Sequence, residues 1–221
     1  MRLPRRFAAI ALLGFLAAAC SQGADAKPGK TAASVNKSVG GKFVGDEFVI
    51  GNPAAKVTVV EYLSNTCSHC AAFDATTFPA IKAKYVDTGK VKWVIREFLT
   101  GPEQVSAAGF ILARCAGPDT YFTVVESIFH RPEEMFKTGD FKTPFLKIAQ
   151  SMGMNEAQFN ACLQDDAAYK ALNDRITKAV QVDKIDGTPT FFINGKKSFE
   201  AEVSVAQFDA ALAPLVAAAG K

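Results

Sequence analysis

Residues 56–76, KVTVVEYLSNTCSHCAAFDAT, constrain this chain more than any other stretch. The first half is rich in β-branched residues and reads as a strand. Its period of two puts Val57, Val59, Glu61 and Leu63 on one face. Small residues suited to a helix follow, so the two cysteines fall where a strand turns into a helix starting at about Cys67. A helix N-terminus carries unpaired N–H groups and partial positive charge, and both stabilise a thiolate. The fold must therefore present Cys67 at a helix start, with Cys70 one turn further in and more buried.

Three uses of such a pair compete. Structural zinc needs four ligands, usually two C-x-x-C knuckles or one knuckle with paired histidines. Here there is one knuckle; Cys115 and Cys162 lie in separate predicted helices, and the histidines are His69 and His130. Covalent haem needs C-x-x-C-H, and residue 71 is Ala. A staple between Cys67 and Cys70 would close a very small loop and so constrain the unfolded chain little. The redox use has a mechanism: a stabilised thiolate favours the dithiol form and makes the disulfide more oxidising. In that use Cys67 is the attackable sulfur, Cys70 resolves, and His69 adds to thiolate stabilisation. Neither a metal nor a cofactor is expected.

The N-terminus reads as an export signal over 1–19: the basic MRLPRR precedes 13 apolar residues, too few to span a membrane. The whole chain carries a net charge of +3; losing the three arginines of that leader leaves zero, so nothing points to a nucleic-acid partner. LAAAC at 16–20 resembles a bacterial lipobox, which would lipidate Cys20; a cut after Ala26 is the alternative. Five cysteines are an odd count for an exported protein, and lipidating Cys20 leaves four. Residues 20–42 read as a flexible tether.

FVGDEFVIG then reads as a short strand or hairpin arm. A single helix with a kink at Pro79 is expected up to Gly89, followed by a second strand at 90–99. Helical patterns fill 102–183. TPTFFINGKKSF at 188–199 is a hairpin turning at Asn194-Gly195. A last helix begins near Ser204, with Val205, Phe208, Leu212, Leu215 and Val216 on one face. The order is βαβ, a helical block, then ββα. It fits an α/β, thioredoxin-like fold over 43–101 and 184–221 with a helical insertion at 102–183.

VTVVEYLSNTCSHC, VIREFL with its following helix, and IDGTPTFFINGK together resemble the DsbA-like branch of the thioredoxin superfamily, bacterial thiol:disulfide oxidoreductases. The resemblance covers roughly 43–221. It implies a catalytic Cys67–Cys70 pair tuned by Ser68 and His69, and a cis Pro189 beside Cys67, with Thr188 offering its backbone to substrate. It implies a proton-relay role for Glu61, against the alternative of a structural charge at a sheet edge. Cys115 and Cys162 are implied as a second disulfide, against two buried thiols. The expected function is a periplasmic, monomeric dithiol oxidase acting on reduced exported proteins and reoxidised by a DsbB-like quinone reductase of the inner membrane. An isomerase or reductase is the alternative, since Thr before the cis proline is common among those relatives; a non-catalytic metal- or thiol-binding module comes third.

Overall fold

The computed structural model describes residues 40–130 and 132–220. The expected export signal, Cys20, Ala26 and most of the expected tether lie outside the described residues.

A six-stranded sheet, ordered β1-β2-β4-β3-β5-β6, carries the molecule. β1 (Gly41–Val44) and β2 (Glu47–Ile50) form a hairpin. β3 (Val57–Leu63) is central and pairs parallel with β4 (Val91–Glu97), because the chain between them crosses over through helices. β5 (Thr190–Ile193) and β6 (Lys196–Glu200) add antiparallel strands on the other side. The tether is shorter than its composition suggests. Gly41 already pairs with Ile50, and a Cβ on it would sit 2.3 Å from the Phe48 ring. A glycine that reads as linker thus serves close packing.

The crossover contains α1 (Ser68–Thr76), α2 (Phe78–Ile81) and a π-helical turn at Lys82–Val86. The expected single helix kinked at Pro79 is corrected: the break comes at Thr77, and Pro79 enters at the start of α2, where a missing N–H costs no intrahelical bond.

Between β4 and β5 come α3 (Glu103–Cys115), α4 (Tyr121–Phe129), α5 (Pro132–Thr138), α6 (Lys142–Ser151), α7 (Glu156–Leu163) and α8 (Asp166–Gln181). In this block a disulfide joins Cys115, at the end of α3, to Cys162 in α7, with Cα atoms 6.2 Å apart and 47 positions between them in sequence. Replacing both cysteines by Ala is expected to cost up to about 4 kcal/mol, the loop-closure entropy returned to the unfolded chain. Denaturant titration of the double variant against its parent checks this; an unchanged midpoint would mean the tie carries no stability.

Asn194 and Gly195 both have positive φ, 48° and 80°, as a type I′ turn requires. The Asn194 side chain accepts from Thr58 N–H at 2.9 Å, which pins the turn onto β3. In α9 (Val205–Ala219) Ser204 and Gln207 form a capping box, and Phe208 and Leu212 are fully buried. Phe208 closes an aromatic cluster with Phe73, Trp93 and Phe191, with ring centroids 4.8–6.1 Å apart. The cluster joins α1, through Phe73, to β4, β5 and α9.

Candidate thiol–disulfide exchange site

β3 ends at Leu63 and α1 begins at Ser68; Ser64, Asn65 and Thr66 make the turn. Polar bonds set this turn rigidly. Ser64 Oγ lies 2.9 Å from Ser106 Oγ and accepts from Thr100 N–H at 3.2 Å. Asn65 Nδ2 donates to the Ser106 carbonyl at 3.0 Å. α3 can come this close because residue 109 is glycine: a Cβ there would meet Asn65 Nδ2 at 2.5 Å. Sequence reasoning missed this support, whose members are scattered over more than forty positions.

Cys67 is the N-cap of α1, with extended backbone angles and no side-chain cap on the helix. The free N–H groups of the first turn are therefore left facing the Cys67 sulfur. Its thiol is pushed down to about 5, chiefly by a hydrogen bond from Cys70 and against the opposing cost of partial burial; Thr188 and the backbone of Cys70 and His69 lower it further. Cys70 is 1% exposed, and burial next to the Cys67 charge holds its thiol well above the ordinary range. The two sulfurs are unbonded, so this is the dithiol form.

The Thr188–Pro189 peptide bond is cis, as is Gly101–Pro102. The protonated Cys67 thiol can donate to the Thr188 carbonyl, 3.3 Å away. The Thr188 hydroxyl is buried with no partner of hydrogen-bond geometry. Ser68 and His69 occupy the exposed first turn of α1, and His69 Nδ1 meets Glu202 at 2.8 Å.

Glu61 is 4% exposed in the central strand β3, between β4 and β5, so its charge is not at a sheet edge. Burial pushes its carboxyl up to about 8, although Trp93 Nε1 donates to it at 2.9 Å and opposes the rise. At neutral pH the group is mostly protonated, and its charge, when present, pushes Cys70 higher. Trp93 was not foreseen as a site residue, although it is the lone tryptophan; the β3–β4 register that brings it to Glu61 is a tertiary fact. An apolar groove of about 260 Å³ flanks Cys67, with Ala71, Ile128, Phe129, Met135 and Phe136 in its walls. Among the described residues no cluster of three or more His, Cys, Asp or Glu could hold a metal. No described helix is long and apolar enough to cross a membrane.

The linkage of Cys67 has a definite sign. Its folded value, about 5, lies below the ordinary thiol value of 9.0, so ionisation favours the folded dithiol form above about pH 5 and increasingly up to about pH 9. The disulfide form has no such ionisation. The ionisation contribution to the stability difference between reduced and oxidised protein is therefore expected to be absent below about pH 5 and to grow across that window. Denaturation of both forms at pH 4 and pH 7 measures it, and equal gaps at both would contradict the low thiol value.

A half-buried, acidic thiol capping a helix, backed by a buried partner and faced by a proline loop from a distant hairpin, suits nucleophilic exchange with disulfides. On this sheet it defines the class of thioredoxin-fold dithiol proteins. The thioredoxin family model matches residues 44–213, and the chain belongs to that family, in its DsbA-like branch. It is 34% identical over 151 residues to a "Putative protein-disulfide oxidoreductase" of Rickettsia bellii, covering 68% of this chain and 58% of that protein. The match spans 54–58% of the length of five such Rickettsia relatives. A "Thiol:disulfide interchange protein DsbA" of Bordetella parapertussis is 26% identical over 141 residues, which is 64% of this chain and 65% of that one. The crystal structure of Wolbachia pipientis alpha-DsbA1 superposes with a TM-score of 0.72 at 25% identity, over 80% of this chain and 94% of that one.

Proposed function

We propose that this protein is a periplasmic thiol:disulfide oxidoreductase that donates a Cys67–Cys70 disulfide to reduced exported proteins. The observation that carries the reading is the opposed ionisation of the pair: Cys67 low and accessible, Cys70 high and buried. A substrate thiolate attacks the Cys67 sulfur of the oxidised pair, and the Cys67–Cys70 bond breaks. Cys70 leaves as a thiolate and takes a proton from Glu61, which is protonated at neutral pH. The substrate's second thiolate then attacks its own sulfur in the mixed disulfide and expels Cys67, which is a good leaving group because its thiolate is stable. The substrate leaves oxidised by two electrons. The enzyme keeps one proton on Cys70 through Glu61, and the other goes to solvent. Thr188 and Pro189 present backbone to an extended substrate, and the groove beside Cys67 takes an apolar side chain.

The chain acts as a monomer, tethered by a lipid on Cys20, and a DsbB-like quinone reductase restores its disulfide. The test mixes the oxidised protein with a reduced two-cysteine peptide and follows peptide oxidation by mass. Stoichiometric oxidation supports the reading; no transfer together with a very reducing Cys67–Cys70 potential would sink it. Repair of a scrambled disulfide substrate in place of net oxidation would assign the isomerase reading.

A further inference from the structure

An exposed ion pair such as His69–Glu202, with the two side chains 65% and 54% exposed, ordinarily contributes little to stability. Two features set this one apart. Ala201 has φ = 72°, left-handed backbone that a residue with a Cβ adopts at a cost. Its N–H donates to the Pro189 carbonyl at 2.9 Å. The loop leaving β6 is thus tied to the proline that faces Cys67, and the unusual turn at Ala201 delivers the next residue, Glu202, to His69 Nδ1 at 2.8 Å. A carboxylate only accepts hydrogen bonds, so Nδ1 carries the proton.

We propose that Glu202 is a positioning residue for the exchange reaction: it fixes the His69 ring in the first turn of α1 and favours its protonated form while Cys67 is a thiolate. This rests on the redox reading of Cys67. The groups that reach His69 are Glu202, from the β6–α9 loop, and Cys67, at the start of its own helix; the hydrogen bond His69 donates to Glu202 is the largest influence raising its ionisation, followed by the Cys67 charge and then the Glu202 charge. The imidazolium in turn favours the Cys67 thiolate. The Glu202 charge alone would act on Cys67 in the opposite direction, so the two roles predict shifts of opposite sign.

The experiment uses the reduced full chain and Glu202→Gln, an exposed substitution that leaves the core intact. His69 is titrated by NMR and Cys67 by thiolate absorbance. The His69 midpoint is expected to fall and the Cys67 midpoint to rise, with a roughly two- to fivefold loss in the thiolate equilibrium constant. In a His69→Gln background the same substitution should no longer raise the Cys67 midpoint, and loss of the Glu202 charge alone should shift it slightly down. An unchanged His69 midpoint, a downward Cys67 shift with His69 in place, or a Cys67 rise that persists without His69 overturns the proposal. Failure of the wild-type protein to oxidise a dithiol peptide would instead sink the redox reading, while these titrations would still decide the role of Glu202.

Discussion

Cys67→Ser is expected to abolish disulfide transfer completely, whereas Cys70→Ser should trap it half-way. The serine oxygen cannot form a disulfide, so with Cys67 replaced no mixed disulfide with substrate exists at the accessible position. Cys70 cannot substitute, being 1% exposed and held protonated by burial. In Cys70→Ser the situation reverses. Cys67 keeps its helix N–H groups and Thr188, attacks a substrate disulfide as a thiolate, and then has no neighbour to release it. The serine hydroxyl can still donate to Cys67, as the Cys70 thiol does, so Cys67 should stay ionised near pH 8. Covalent complexes with substrate, resolved by reducing agent on gels and identified by mass, are the expected signature. Wild-type rates from Cys67→Ser, or no captured complexes from Cys70→Ser, would contradict the assignment of roles.

Glu97→Ala is expected to cost the fold about 3–5 kcal/mol, toward the lower end. Glu97 closes β4 with its side chain 1% exposed, and three elements converge on it. Arg114 Nε from α3 donates at 2.6 Å, Arg175 Nε from α8 at 2.7 Å, and the Tyr121 hydroxyl from α4 at 3.0 Å. Removing the carboxylate strands two guanidinium groups and a buried phenol in place. Arg175 can absorb little of this, because its Nη2 is already buried without a partner. The arginines retain 22% and 17% exposure, so water recovers part of their solvation and the cost stays below the upper figure. Glu97→Gln keeps the shape and one acceptor and should lose less. Denaturant midpoints at constant slope give the ranking. An alanine variant within about 1 kcal/mol of the parent would mean the cluster does not hold the insertion to the sheet.

Much of the architecture was legible because its signals act over a few residues. The alternation through Val57, Val59, Glu61 and Leu63 marked a strand, Asn194-Gly195 marked a hairpin, and Ser204 marked a helix start. The crossover was read as one helix because a proline in a helical pattern does not say where the break falls; it comes at Thr77, two residues before Pro79. Gly41 and Gly109 read as linker and as helix filler, and only the rings and amides packed against them explain why a side chain is excluded.

The site divides in the same way. By itself the sequence determined the dithiol, its place at a strand-to-helix turn and hence the stabilised thiolate, since helix ends and C-x-x-C spacing are local physics. Pro189 entered through family resemblance, not through spacing. Tertiary structure alone decided what surrounds the pair: the Thr188 carbonyl 3.3 Å from a sulfur 121 positions away, Trp93 on Glu61, and Glu202 on His69. These depend on strand order, register and the angle at which a loop leaves a hairpin. No short-range pattern encodes them, because each partner satisfies only its own local rules until the whole sheet is assembled.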